Sequence, residues 1–235
     1  MNSQTIIFTD GASRGNPGPG GWGAIILEND TVREIGERED ATTNNRMEIM
    51  AAIGALSVIA VENPITIHTD SSYLINGITK WVSSWQRNGW KTKAKEEVLN
   101  RDLWERLTDL ASQKEIEWNY IGGHSGIKGN ERCDVIATSF ADKAKVDLYE
   151  GSRADYPIHG IEDLSAAKEK VSKKAHSKAK AYSYVSMVDG KIEIHATWAE
   201  CEARVKGKRG ARFQKAISPE HEAEITAQFK NETGR

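Results

Sequence analysis

Apolar positions in the first 145 residues fall first into short β-branched runs and then into stretches of helical spacing. Gln4–Thr9 is β-branched and apolar and ends at Asp10-Gly11, which predicts a strand running into a turn. Trp22–Leu27 and Val32–Gly36 flank the polar Glu28-Asn29-Asp30-Thr31, a hairpin signature. Between the first two strands, GASRGNPGPGG is rich enough in Gly and Pro to predict a shaped loop. Thr42 or Thr43 offers an N-cap for a helix over Asn44–Val61, which Asn63-Pro64 stops before a short buried strand, Ile65–Thr69. Polar and aromatic helical stretches run on through Trp85, and Leu103, Trp104, Leu107, Leu110 and Ala111 mark a further amphipathic helix. Ile116–Ile121 reads as a strand, Gly122–Gly129 as a loop and Asn130–Lys145 as a helix. The order βββ-α-β-α-β-α predicts an α/β domain, a mixed sheet with helices packed on it.

The pattern changes near Leu148. Ile161–Ala181 is Ala/Lys-rich with few large apolar residues, so it reads as an exposed helix or a flexible tether. Order returns with strands at Tyr182–Val188 and Lys191–His195, a Thr197-capped helix through Val205, a strand at Ala211–Ala216, and a helix opened by Ser218-Pro219. The expected organisation is a first domain over residues 1–147, a linker over 148–181, and a small ββαβα domain over 182–230. A unit of about 50 residues is near the lower limit for independent stability.

Composition narrows the function. Of 235 residues, 38% are hydrophobic and 28% charged, enough for a core and too polar for a membrane protein. No apolar run is long enough to span a bilayer, and MNSQTIIFTDG lacks the basic and apolar regions of a secretion signal. Cys133 and Cys201 lie far apart without metal-ligand spacing, which suits free thiols in a reducing cytoplasm. The net charge of −2 hides two basic segments: Lys80–Arg101 has 6 basic and 2 acidic residues, and Lys168–Lys215 has 13 and 5. They read as two contacts with a polyanion or as two solvated faces.

Four acidic residues stand in distinctive settings. Asp10 and Asp70 each follow an apolar strand, Glu48 lies in the second turn of the first helix, and Asp134 near the start of the last helix of the domain. If the two strands are parallel neighbours, both aspartates emerge at the carboxyl edge of the sheet, where α/β folds place ligands. Gathered together, the four would repel and raise at least one pKa, and a pair of Mg²⁺ ions would relieve that and could clamp a phosphodiester. Any one of them alone also reads as a turn or cap residue, and spacing does not prove convergence.

FTDGASRGNPGPGGWGAI, ATTNNRMEIMAAI, HTDSSY, WKTKAKEEVLNRDLW and GHSGIKGNERCDVIA resemble the signature segments of the ribonuclease H type 1 family, in order, over about residues 4–145. The resemblance implies the ribonuclease H fold with a five-stranded mixed sheet, and cleavage of the RNA strand of RNA/DNA hybrids to 5′-phosphate and 3′-hydroxyl ends. It implies Asp10, Glu48, Asp70 and Asp134 as ligands of two Mg²⁺ ions (Mn²⁺ a possible substitute), with Asp10 bridging; a monomer is the expected state, which the sequence does not settle. His124, flanked by Gly122, Gly123 and Gly126, falls where the family keeps a mobile histidine that relays a proton or helps product leave; alone it would read as a surface residue. Backbone near Gly11 and the amides of Asn16, Asn44 and Asn45 are expected to bond sugars and bases, with Asn16 and Thr43 on a DNA-strand phosphate. Trp81, Trp85 and Trp90, interleaved with Arg87, Lys91, Lys93 and Lys95, resemble the family's basic protrusion, with Trp85, Lys91 and Lys93 as substrate contacts. Trp81 and Trp85 also share a helical face, the mark of core residues.

Tyr184–Phe229 is similar to the small hybrid-binding (viroplasmin-like) domain of many eukaryotic type 1 enzymes, placed here after the catalytic domain. The resemblance implies Tyr184, Trp198, Phe213 and Lys215 as nucleic-acid contacts, on a hybrid or on double-stranded RNA. Met187-Val188-Asp189 and Gln214 replace basic residues of that pattern, which weakens phosphate contacts. A protein-contact module, with Trp198 and Phe213 as plain core, is the competing reading. For the whole chain the alternatives are a noncatalytic hybrid-binding protein and an integrase-like DNA nuclease of the same fold.

Overall fold

The computed structural model describes residues 4–60, 63–123, 126–165, 180–208 and 210–233. The chain divides into two compact units, Met1–Lys170 and Val171–Arg235.

In the first unit β1 (Thr5–Ser13), β2 (Gly18–Glu28), β3 (Thr31–Thr42), β4 (Ile65–Thr69), β5 (Ile116–Tyr120) and β6 (Glu150–Ser152) form one sheet in the order β5-β4-β1-β2-β3-β6. β1 runs parallel to β4, and β4 to β5; the β1–β2, β2–β3 and β3–β6 pairs are antiparallel. The helices are α1 (Asn44–Val58), α2 (Ser72–Asn76), a π-helical turn (Gly77–Trp81), α3 (Val82–Arg87), α4 (Arg101–Ser112) and α5 (Lys128–Ala141). Because strand residues alternate faces, Ile7, Ala24 and Ile26 pack with α1 and α4, whereas Phe8, Ile25 and Leu27 pack with α5. The ribonuclease H fold, helices on both faces of a mixed sheet, is the one expected.

Four details differ from the sequence reading. The sheet has six strands, because Glu150–Ser152 pairs with Thr31–Arg33 on the edge left open by five. The Gly/Pro segment is mostly strand, with only Arg14–Pro17 left as a turn. Close packing explains its last glycine and the next one along β2: a Cβ on Gly21 would lie 2.4 Å from the Ala137 carbonyl oxygen, and one on Gly23 2.7 Å from that of Cys133. α5 starts two residues before the expected Asn130 and ends at Ala141 rather than Lys145, since Lys143 turns left-handed with φ 56°. The first helix likewise ends at Val58.

The expected linker of residues 148–181 needs correcting at its start. Tyr156 and Ile161 are buried beside Phe8, Ile121 and Ile127, and Lys128 Nζ donates to the His159 carbonyl, so residues 148–165 belong to the first unit's packing. Glu34, 4% exposed on β3, centres this attachment. It accepts from Arg132 (2.7 and 2.8 Å), from the Tyr156 hydroxyl (2.6 Å) and from the Tyr149 N–H (3.0 Å). Composition misled here because two tyrosines and an isoleucine anchor an otherwise polar stretch. The Lys/Ala-rich residues 166–179 lie outside the described residues.

In the second unit β7 (Ser183–Val188), β8 (Lys191–His195) and β9 (Arg212–Ala216) form an antiparallel sheet in the order β8-β7-β9, with α6 (Trp198–Val205) and α7 (Pro219–Thr233). Thr197 and Glu200 close a reciprocal capping box at the start of α6, and Ser218 Oγ accepts from the His221 N–H at the start of α7. Val185, Met187, Ala216, Ile225 and Phe229 make the core of this small α+β unit. Among the described residues no helix is long and apolar enough to cross a membrane.

Candidate active site

Parallel pairing of β1 with β4 ends at Thr9 opposite Thr69, so Asp10 and Asp70 follow side by side, Asp70 just past β4 and Asp10 within β1, which runs on to Ser13 beside β2. Glu48 reaches them because α1 crosses directly over Gly11. A Cβ there would lie 2.3 Å from the Glu48 nitrogen and 2.4 Å from the Met47 carbonyl carbon, so only glycine admits the helix. Carboxylate oxygens of Asp10, Glu48 and Asp70 lie within 4.8 Å of one another. Asp134, exposed on α5, lines the same cleft of about 320 Å³, next to the triad rather than in it.

The electrostatics are those of a cluster built for cations. Burial, then the charges of Asp70 and Asp134, push Asp10 up from 3.8 to about 8, against a hydrogen bond from the Gly11 N–H at 2.8 Å. Glu48 is also raised, by burial first and then by Asp10 and Asp70, although Asn44 Nδ2 donates to it at 3.3 Å. Its Oε2 is buried with no hydrogen-bond partner, which is costly unless a ligand meets it. Hard oxygen donors, converging charge and an orphaned carboxylate oxygen together fit a divalent metal ion.

A sequence model of the RNase H family matches residues 2–142. The chain is 50% identical to the Ribonuclease H of Alcanivorax borkumensis over 140 residues, 60% of this chain and 93% of that protein. It is 51% identical to the Ribonuclease H of Francisella philomiragia over 135 residues, 57% and 89% of the two chains. This chain belongs to the RNase H family. It is accordingly a ribonuclease of the hydrolase class. Among solved structures it resembles LC9-RNase H1, described as a type 1 RNase H with the type 2 active-site motif. That likeness has a TM-score of 0.58 and 24% identity over 71% of this chain and 86% of the other, and it shows the fold.

Other residues of this RNase H fall at graded distances from the triad. Asn44 lines the cleft, whereas Asn45 and Asn16 are exposed and do not line it. Thr43 caps α1, its hydroxyl accepting from the Arg46 N–H at 3.4 Å. His124 lies outside the described residues. Trp85 is half-buried between Trp81 and Trp104, with ring centroids 5.6 and 6.0 Å apart, so it shares in the core while keeping an accessible edge. Lys91 and Lys93 are exposed on a segment closed by a bridge between Lys91 and Glu97, apart from the cleft.

Among the cleft residues that sequence reasoning missed are Asn130 and Arg14. Both sit inside the quoted motifs GNERCD and GASRGNPG, so a signal was present; only the fold shows what their side chains meet. Asn130 is buried and donates to Asp70 Oδ2 at 3.1 Å.

In the second unit the three expected aromatics form a surface cluster. Trp198 lies 5.6 Å from Tyr184 and 5.0 Å from Phe213 between ring centroids, and Trp198 and Phe213 are 39% and 52% exposed. Lys215 sits opposite Tyr184 in the β7–β9 register. Since the aliphatic core is made by other residues, this cluster is a surface feature.

Proposed function

We propose that the first unit hydrolyses the RNA strand of RNA/DNA hybrids, leaving 5′-phosphate and 3′-hydroxyl ends. The observation that carries this is the triad of Asp10, Glu48 and Asp70 with its orphaned Glu48 oxygen, in a chain of this family. Asp10, Glu48, Asp70 and Asp134 would hold two divalent ions, Mg²⁺ with Mn²⁺ as a substitute. When bound, the ions supply an activated water and charge stabilisation for the leaving 3′-oxygen. The side-chain amides of Asn44 and Asn130 each donate one hydrogen bond to a carboxylate, fixing Glu48 and Asp70 while leaving other carboxylate oxygens for the metal. His124 is the proposed proton relay on the product side.

Hybrid selection is assigned to the Gly11 backbone with Asn16, Asn44 and Asn45 in the minor groove, and to Thr43 with Asn16 on a DNA phosphate. Trp85, Lys91 and Lys93 extend the contact along the DNA strand. The second unit is proposed to hold a hybrid or double-stranded RNA on Tyr184, Trp198 and Phe213, with Lys215 on a phosphate. An accessible aromatic cluster on a small sheet supports this reading over a module that uses these rings as core.

The test is incubation of end-labelled hybrid, RNA duplex and DNA duplex with Mg²⁺, with Asp70→Asn as control. Cleavage confined to the RNA of the hybrid and lost in Asp70→Asn is the expected result. Cutting of DNA duplex would favour an integrase-like enzyme, and absence of any cleavage a noncatalytic binder.

A further inference from the structure

Among the described residues lining the carboxylate cleft, Arg14 is the one basic side chain. It stands in the turn between β1 and β2, where its backbone N–H donates to the Pro19 carbonyl at 2.7 Å. Its Nε and Nη2 donate to the two carboxylate oxygens of Asp142, each at 2.6 Å, so the residue that caps the C-terminus of α5 holds the guanidinium. A bidentate pair of this kind uses one edge of the guanidinium fork and leaves Nη1 for another acceptor. The charge of Asp134 also acts on Arg14, which sets the cation beside the acidic wall of the cleft.

The ion pair does not account for itself structurally. Its side chains are 48% and 47% exposed, so it contributes little to stability and is screened by salt. The end of α5 is already anchored, because Arg38 Nη1 donates to the carbonyls of Phe140 and Ala141. What the pair does achieve is to hold a cation on a cleft whose other charged lining residues, among those described, are all carboxylates, where a polyanionic strand has to enter. We propose that Arg14 binds a non-bridging phosphate oxygen of the strand being cut, one neighbouring the phosphodiester that enters the cleft, with Asp142 keeping the guanidinium in place between encounters. The assignment rests on the reading of this cleft as the hybrid-cleaving site.

The experiment is steady-state cleavage of a hybrid by the full chain over a salt series from about 0.05 to 0.2 M. Arg14→Ala is expected to raise KM about 3- to 10-fold with kcat nearly unchanged, and to make the dependence of log(kcat/KM) on log[salt] shallower by about one. Arg14→Lys keeps the wild-type slope. Asp142→Asn keeps the cation but loosens the hold on it, so the slope stays near wild type and KM rises less than in Arg14→Ala. A wild-type slope in Arg14→Ala, or an Asp142→Asn variant that reproduces the Arg14→Ala loss, overturns the assignment to Arg14 alone. A wild-type chain that leaves the hybrid uncut overturns the broader reading as well.

Discussion

Asn130 donates its side-chain amide to Asp70 Oδ2 across 3.1 Å, tying α5 to the carboxyl end of β4. The bond joins residues 60 positions apart and holds one of the three clustered carboxylates. Its Oδ1 is buried without a partner, so the amide is held by this one bond and its packing.

Asn130→Ala should therefore lower kcat by about 10-fold with little change in KM, because it frees Asp70 to rotate while leaving substrate contacts intact. Asn130→Asp should be worse, placing a further carboxylate against Asp70. Steady-state kinetics at saturating Mg²⁺ check both, and equal kcat values in wild type and Asn130→Ala would remove the positioning role.

Asp10 makes the stability of the metal-free protein depend on pH. Its pKa rises from 3.8 to about 8 on folding, so its contribution favours the folded state below pH 3.8 and is lost as pH climbs towards 8. In EDTA, Asp10→Asn should match wild type below about pH 4 and exceed it above pH 8, by at most about 6 kcal/mol at 1.36 kcal/mol for each unit of the rise. Mg²⁺ should raise the Tm of wild type more than that of the variant, since the cation relieves the repulsion the substitution has already removed. Melting curves against pH, with and without Mg²⁺, are the measurement.

Glu34 titrates the other way. Burial works to raise it, but the Arg132 and Tyr156 hydrogen bonds and the Tyr149 N–H outweigh that and leave it below its usual 4.5. Its stabilisation is present above the unfolded pKa and is lost as pH falls through the lowered folded value. Glu34→Gln should cost about 2 kcal/mol at pH 7, by unpairing a partly buried arginine, and the gap to wild type should close in strong acid. Chemical denaturation at a series of pH values would show it.

Trp198→Ala and Phe213→Ala in the full chain should weaken binding to a long hybrid about 10-fold each, near the stacking worth of one base, with the unfolding midpoint changed little because both rings are surface-exposed. Kd by fluorescence titration, alongside melting, separates the two effects. A large fall in Tm with unchanged Kd would return these aromatics to a structural role.

The chain order of strands and helices, the four carboxylates and the capping residues Thr43, Thr197 and Ser218 were legible in the sequence because each depends on local periodicity or on neighbours a few positions away. What lay beyond it depended on contacts between distant segments. GASRGNPGPGG looks like a loop until helices lie close over it, when Gly11 admits α1 and Gly21 lets β2 pass beneath α5. Residues 148–165 look like a tether until Glu34 meets Tyr156 over 122 positions. The sequence by itself determined which residue types could bind metal. Tertiary structure decided that three carboxylates converge while Asp134 stands alongside, and that Asn130 and Arg14 join them, because convergence is set by strand register and by how closely α1 and α5 approach the sheet.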